Sequence, residues 1–516
     1  MRVEAQEPAI VVIGSGASGG TLADRLTAAG KRVVLLEAGP RIGADAWHQD
    51  DLKAFAQLSW LDPRVASGSF LAAQVSPTTP AWIVKAVGGS TLHWNGLAYR
   101  AQAHELRARS TYGDIAGSSL VDWPLSLEEL APFYDEAERR LGVTGTHGIE
   151  PHPPNNNFKV MQAAARRCGY KAVSNAHIAI NSKARDGRPA CLQMGFCNQG
   201  CKIHAKWSSL ASEIPRAEAS GRLDLRAGCQ AVEITVDRRG HADGVVYRDS
   251  DGALQKQRAA WVFLAANAIE TPRLLLLSQS AAFPEGLGNT HGHVGRHYMR
   301  HINALTFARM PGPVNMHRGI VTPGTIFDEA RHDPSRGFAG GYLMEAVGMA
   351  PVSVAMLVGA GEWGEDFADF LGAYDHLAGM LMNGEEMPRA DNRITLDSNV
   401  KDALGLPVAN VHVDEHSQSD LMRAHFRAQA TRLYSSLGAE SLRFGVPATA
   451  THNMGTARMS EKPSDGVTDA FGRSHEVPNL FIGDGSLFPT STAENPTLTI
   501  VALALRQAEH FLGTAS

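Results

Sequence analysis

The chain carries its apolar residues in short unbroken runs separated by glycine-rich turns, the patterning of an α/β protein whose strands are covered on both faces. Ala9-Ile10-Val11-Val12-Ile13 is the first such run and predicts a buried parallel strand. Gly14-Ser15-Gly16-Ala17-Ser18-Gly19 follows, then a helical stretch, then a second run, Val33-Val34-Leu35-Leu36, that stops at Glu37. Val262-Phe263-Leu264-Ala265-Ala266 repeats the pattern and passes into Asn267-Ala268-Ile269-Glu270-Thr271-Pro272 and the helical Arg273-Leu274-Leu275-Leu276-Leu277-Ser278. Near the end come the strand Asn479-Leu480-Phe481-Ile482, a Gly483-Asp484-Gly485-Ser486 turn, and a closing helix from about Thr497. Between these units, Ser126-Leu127-Glu128-Glu129 is a capping box and predicts a scaffold helix that ends near Gly142.

The first turn is G-x-G-x-x-G in a strand-turn-helix setting, built on Gly14, Gly16 and Gly19. Glycines there let the backbone turn tightly and approach a pyrophosphate at a helix N-terminus, while Glu37 can accept hydrogen bonds from ribose hydroxyls. The Glu37 carboxylate repels a 2′-phosphate, which disfavours NADP and leaves FAD and NAD both open. Val87-Gly88-Gly89-Ser90-Thr91-Leu92-His93-Trp94-Asn95-Gly96 is a second glycine-rich block. It reads either as a tight turn packed on the first module or as part of the cofactor site.

Two tail residues suit alcohol chemistry. The imidazole of His452 can accept a hydroxyl proton near neutral pH, and the carboxamide of Asn495 can orient the same oxygen without competing for the proton. Elsewhere Cys191, Cys197 and Cys201 fall within eleven residues, among glycines and amides that let a loop wrap an ion or cluster. Three thiols are one short of a conventional zinc site or four-cysteine cluster and match the number that a 3Fe-4S cluster takes; reduced thiols, a disulfide and zinc are the other readings. His291, His293, His297 and His301 invite a metal reading that Arg296 and Arg300 oppose by repelling a cation. Cys168 and Cys229 read as core positions.

The 516 residues are enough for several domains with a large core, and the net charge of -5, without basic blocks, gives no electrostatic reason to expect nucleic acid or anionic membrane as a partner. No stretch approaches the roughly 20 apolar residues of a membrane span. The N-terminal residues pass straight into a strand without a signal-like apolar core. The expected compartment is therefore the cytoplasm, or the periplasm if a signal-bearing partner carries the chain out.

Taken together, the fingerprint with Leu36-Glu37-Ala38-Gly39, the Gly88-Gly89-Ser90-Thr91-Leu92-His93-Trp94 block, the Ala268-Ile269-Glu270-Thr271-Pro272 block and the His452 and Asn495 tail resemble the glucose-methanol-choline (GMC) family of FAD-dependent oxidoreductases. One departure is Asn267, where the family usually has glycine. The resemblance implies an α/β fold: a Rossmann-like FAD-binding domain assembled from residues 1–150, 205–300 and 440–516, and a substrate domain from 151–204 and 301–439 built on an antiparallel sheet that roofs the flavin. Arg393-Ile394-Thr395-Leu396-Asp397 and Val408-Ala409-Asn410-Val411-His412-Val413 are expected strands of that roof. It implies FAD contacts from Gly14, Gly16, Gly19, Glu37, Gly88, Gly89, Thr91, His93, Asn95, Gly96 and Asp484, with His93 at the place where some relatives attach FAD covalently. It also implies that His452 removes the hydroxyl proton while hydride passes to flavin N5, with Asn495 holding the oxygen.

The cysteine loop resembles that of bacterial sugar and gluconate dehydrogenase subunits of this family. There such a trio holds a 3Fe-4S cluster that relays electrons toward a cytochrome, and the implied partners are a small subunit and a cytochrome acceptor. Lys202-Ile203-His204-Ala205-Lys206 departs from the proline-containing version of those subunits. The expected activity is oxidation of an alcohol group of a sugar, glycoside or sugar acid, with electrons passed to an acceptor other than NAD. An oxygen-using oxidase and a non-redox hydroxynitrile lyase are the alternatives.

Overall fold

A computed structural model of the chain describes residues 1–51, 53, 83–358, 362–445 and 451–514. Its parallel sheet is built from β1 (Ala9–Ile13), β2 (Val33–Glu37), β4 (Leu223–Ala227), the C-terminal half of β7 (Leu254–Leu264) and β15 (Leu480–Ile482), in the order β4-β2-β1-β7-β15. The N-terminal half of β7 continues as an antiparallel meander with β6 (Ala242–Arg248) and β5 (Gln230–Val236). The first two apolar runs are explained by two-sided burial. Ile10, Val12, Val33 and Leu35 face one core with Leu22, Leu26 and Phe511, while Val11, Ile13, Val34 and Leu36 face another with Tyr134, Leu141 and Val501. The covering helices are α1 (Ala17–Ala28), α2 (Leu127–Leu141) and α5 (Thr497–Thr514), with α3 (Asn267–Leu277) following β7. Helix α2 starts at the expected capping box, Glu129 N–H donating to Ser126 Oγ at 3.2 Å and Ser126 N–H to Glu129 Oε2 at 2.8 Å. It ends where Gly142 takes φ +70°.

The second sheet is antiparallel throughout, in the order β14-β8-β11-β10-β9-β3. Its strands are β3 (Val173–Asn175), β8 (Ile302–Arg309), β9 (Gly324–Ile326), β10 (Tyr342–Ala346), β11 (Leu377–Gly384) and β14 (Ser441–Phe444). One face packs on α4 (Gln418–Ser435) through Phe426, Ala430 and Leu433. The edge strand β14 comes from a segment expected within the cofactor unit.

The expected roof strands of residues 393–397 and 408–413 are not in this sheet. They form a separate ribbon of β12 (Arg393–Lys401) and β13 (Pro407–His412). Ile394, Ala409, Val411 and Val413 pack with Ile269 of α3 and with Tyr298, so the ribbon's apolar face is covered by the cofactor side of the molecule. Among the described residues no helix is long and apolar enough to cross a membrane.

The fingerprint glycines have unequal steric roles. A Cβ at Gly19 would lie 1.9 Å from the Gly14 carbonyl oxygen, whereas a Cβ at Gly16 would meet nothing within 4 Å. We expect Gly19→Ala to destabilise the protein by about 1–3 kcal/mol through overpacking, and Gly16→Ala to leave thermal stability within about 0.5 kcal/mol. Thermal unfolding of the two variants side by side checks this.

Candidate active site

The β1–α1 turn is closed by side chains as well as by glycine. Ser15 donates to Glu37 Oε2 from its N–H at 3.0 Å and from its hydroxyl at 2.6 Å, and Gly39 N–H donates to Glu37 Oε1 at 2.9 Å. Burial raises the Glu37 pKa, while these hydrogen bonds and Lys85 pull it back. The carboxyl expected to meet a ribose thus also braces its own turn. Gly14, Gly16 and Glu37 line one large cavity; Gly19 serves the packing of helix against strand behind it.

The second glycine block sits against the first. Gly88 at φ +105° and Gly89 at φ +53° start a short turn of helix, and the position of a Gly89 Cβ lies 3.0 Å from Gly16 Cα. Gly89, Thr91, His93 and Asn95 reach the cavity, whereas Gly88 and Gly96 shape the chain at positive φ. Thr91 Oγ1 donates to the Gly88 carbonyl at 2.5 Å, and among the described residues Asn95 Oδ1 is buried with no hydrogen-bond partner. His93 is held at Nδ1 by the Asn198 carbonyl, 3.2 Å away, and burial and Lys206 lower its pKa to about 4. Asp484, also on the wall, is already engaged: its Oδ2 accepts from Asn267 N–H at 3.0 Å and Thr271 Oγ1 at 2.5 Å, its Oδ1 from Ser486 N–H at 2.8 Å. Asn267 stands at φ +82°, where glycine is the easy residue. Its side chain compensates by capping the N–H groups of Ile269 and Glu270 at 2.9 and 3.1 Å.

The tail reaches the same cavity through a main-chain bridge. Met299 and Met454 exchange N–H···O bonds of 2.9 Å in antiparallel sense. Two residues on from Met299 and two back from Met454, His301 and His452 therefore face each other. Their Nδ1 atoms lie 2.8 Å apart. The tautomers follow from their neighbours. His301 Nε2 lies 2.9 Å from the Thr492 carbonyl and 3.2 Å from that of Ser491; a carbonyl only accepts, so the proton of His301 is on Nε2. His301 Nδ1 is then an acceptor, and the contact needs its proton on His452 Nδ1. That leaves His452 Nε2 with a bare lone pair. Burial lowers His301 to about 4 and pushes His452 well below the ordinary histidine range, the neighbouring imidazole adding to the second shift. Both rings are neutral at pH 7.

The roof faces these groups with every second residue of its strands. Asn303 pairs with Asn383 and Leu305 with Leu381 across β8 and β11, and Glu345 of β10 stands opposite Leu381. All five line the cavity, as do His301, His452 and Asn495, and its volume is about 450 Å³. Burial raises the Glu345 carboxyl to about 8 while neighbouring Asn495 pulls it back, and among the described residues Asn495 Oδ1 and Glu345 Oε1 are buried without hydrogen-bond partners. A continuous space thus joins the glycine cradle to the imidazole pair, its walls carry unmatched polar atoms, and the residues fit a flavin dinucleotide. His301 and Glu345 were not singled out by the sequence as parts of this site. The pairing that places His301 is long-range; the available signal for Glu345 was a lone carboxylate in the apolar run of β10.

The cysteine loop adjoins the site through Asn198, which touches His93, and through buried Lys206, whose Nζ donates to the carbonyls of Leu92 and Trp94 at 3.0 and 2.6 Å. Cys191 Sγ accepts from Gln193 N–H at 3.2 Å and Cys201 Sγ from Lys206 N–H at 3.4 Å. Burial raises the Cys191 thiol to about 11 and also raises Cys197. Among the described residues the trio is not one of the groups whose ligand atoms all lie within 4.8 Å of one another. One zinc ion would draw three sulfurs closer than that. The tempting histidine series is split: His293 stacks near His297 with centroids 6.2 Å apart, while His301 turns to His452. Cys229 is buried and touches the cavity; Cys168 is only half-buried.

Residues 61–303 and 388–504 match the N- and C-terminal sequence signatures of GMC oxidoreductases, and residues 12–56 match an NAD(P)-binding Rossmann-like domain. A 2-methyl-1,2-propanediol dehydrogenase of Mycolicibacterium austroafricanum is 31% identical over 99% of this chain and 96% of its own. The fructose dehydrogenase large subunit of Gluconobacter japonicus is 28% identical over 98% of this chain and 97% of its own. In three dimensions a formate oxidase of Aspergillus oryzae aligns over 100% of both chains, with TM-score 0.71 at 15% identity. The chain belongs to the GMC oxidoreductase family and is an FAD-dependent oxidoreductase acting on CH–OH donors.

The tautomer chain makes His301 a positioning residue. His301→Phe removes the acceptor for His452 Nδ1–H and is expected to slow flavin reduction by about 10²-fold. His301→Gln, which can still donate to the carbonyls and accept from His452, should recover part of the loss. Rapid-mixing kinetics on FAD-replete protein measure both, and equal rates in wild type and His301→Phe would contradict the tautomer assignment.

Proposed function

We propose that the protein is a dehydrogenase that oxidises an alcohol group of a sugar, glycoside, sugar acid or related polyol and passes the electrons to an acceptor other than NAD. The observation that carries the reading is the bare Nε2 of His452, set by the His301 contact of 2.8 Å, in the same cavity as Asn495. His452 Nε2 takes the proton of the substrate hydroxyl, and its lowered pKa keeps it free to do so at neutral pH. Asn495, beside Glu345 on the same cavity wall, offers an amide N–H to the hydroxyl oxygen, which fixes the carbon that reacts. Bound FAD supplies the hydride acceptor. Gly14, Gly16, Glu37, Gly89, Thr91, His93 and Asn95 hold it, and the roof sheet excludes water from the reacting face. The substrates in the names of the relatives, a propanediol and fructose, are both polyhydroxy compounds.

The cysteine trio extends the reading to electron exit. Its three sulfurs, beside a buried lysine and next to the His93 wall, suit a 3Fe-4S cluster, in which each thiolate takes its own iron. Such a cluster would supply a one-electron station toward a partner subunit or cytochrome. About three irons and four sulfides per chain, with an EPR signal of the oxidised protein, are expected; iron-free protein with full dye-linked activity would remove the cluster from the scheme.

For the chemistry, anaerobic addition of sugars and polyols should bleach the flavin. His452→Ala should retain FAD and lose at least about 10²-fold in the reduction rate. Because His452 titrates below the usual histidine value, that rate should stay level as pH falls from 7 to 6 and decline only at lower pH. A near-full rate in His452→Ala would sink the assignment. Oxygen uptake matching dye reduction would point instead to an oxidase, and an unbleached flavin with a turned-over substrate to a lyase.

A further inference from the structure

A second group of ionisable side chains adjoins the loop that carries Asn495, and none of its members lines the cofactor cavity. His104, Glu105 and Glu385 each bring one ligand atom to a common place, the three atoms lying within 4.8 Å of one another. His104 and Glu105 belong to the short helix Ala103–Leu106, while Glu385 follows the last residue of β11. Glu494 comes to them from the tail, and Gln102 makes the join: its Nε2 donates to Glu494 Oε1 and its N–H to Glu105 Oε2, both at 2.7 Å. Glu105, Glu385 and Glu494 are 0%, 2% and 1% exposed.

Three buried carboxyls this close call for a counter-charge. Their donors are the N–H groups of Gln102, Ala493 and Gly341, the Gln102 amide and the Tyr112 hydroxyl, all of them neutral. Among the described residues no lysine or arginine pairs with them, and Arg336, whose charge reaches Glu385, is bonded to Glu329. The comparable trio Asp135, Glu138 and His147 differs, because Arg100 already holds both of its carboxylates. Two atoms of the first group are also unmatched: among the described residues Glu494 Oε2 and His104 Nε2 are buried without hydrogen-bond partners. Burial pushes Glu105 and Glu385 up, and the Glu494 charge adds to both shifts. A proton shared by two carboxyls would relieve that pair and leave the imidazole nitrogen unanswered. A metal ion answers carboxylate oxygens and an imidazole nitrogen together.

We propose that His104, Glu105, Glu385 and Glu494 bind one divalent transition ion, of the manganese or zinc class, that clamps the end of β11 to the loop carrying Asn495. Calcium and magnesium take oxygen ligands, so the imidazole selects against them. Ligand atoms on opposite sides of such an ion stand about 4 Å apart, a spacing these side chains meet with small shifts. Glu105 holds the Ala493 N–H, so the ion steadies the same loop whose Ser491 and Thr492 carbonyls hold His301.

The test strips FAD-replete protein with a chelator and titrates it with Mn²⁺, the free ion being read by its EPR signal. Mn²⁺ has little affinity for thiols, which keeps the cysteine trio out of the measurement. One Mn²⁺ per chain is expected, with a rise of about 3 °C or more in the midpoint of thermal unfolding at saturation. Glu385→Gln and His104→Gln should each weaken binding by about tenfold or more, whereas His147→Gln should leave it unchanged. Stripped wild-type protein that binds no Mn²⁺ overturns the proposal, whether or not any variant folds. Binding that is unchanged in both Glu385→Gln and His104→Gln, or that is lost in His147→Gln, overturns it as well. Alcohol turnover has no part in these readouts, so the hydride-transfer reading can fail without touching the result.

Discussion

The antiparallel bridge between Met299 and Met454 is the contact on which the site depends. It joins the chain just before the roof sheet to the tail of the cofactor side, and its register alone brings His301 opposite His452. Gly455 makes the close passage possible: at φ +74°, any Cβ there would lie 2.0 Å from the His297 carbonyl oxygen. Once the rings meet, two carbonyls of the loop before α5 settle where each proton lies. The reactivity of one nitrogen is therefore decided four hydrogen-bonding groups away, by backbone that cannot itself titrate.

The loop that provides those carbonyls is held from several sides. Ala493 N–H donates to Glu105 Oε1 at 2.7 Å, the Ala493 carbonyl accepts from Asn383 at 3.0 Å, and Ser491 Oγ accepts from Glu386 N–H at 2.9 Å. Thr492 sits at φ +55°, a strained setting for a β-branched residue that such anchoring can sustain. Segments around both sheets thus contribute to fixing the loop that carries Asn495. The two sheets divide the labour accordingly. The parallel sheet ends in glycine turns whose backbone can approach a dinucleotide, and the antiparallel sheet presents alternate side chains that can distinguish one alcohol from another.

Much of the cofactor side was legible in the chain because its signals are local. An apolar strand, a glycine turn and a helix are neighbours in sequence, and the acid at Glu37 follows at the spacing that one crossover imposes. The capping box at Ser126 was equally readable. Local signals misled where an element's partner is remote. Strands β12 and β13 alternate as a half-buried sheet should, yet their apolar face is covered by α3 rather than by the roof. Gly19, Gly88 and Gly96 belong to the motifs but not to the cavity wall, since a glycine serves close packing as readily as ligand approach.

The sequence by itself determined the class of fold, the dinucleotide cradle, the pairing of one imidazole with one amide in the tail, and the crowding of three cysteines. Each is a matter of residue type and short spacing, which covalent geometry translates directly into shape. Only the tertiary structure decided that His301 faces His452 rather than a metal, which nitrogen of His452 is bare, and that Glu345 stands beside Asn495. Those facts turn on contacts between residues some 150 positions apart in the chain, and no periodicity of side chains encodes the register in which two distant segments meet.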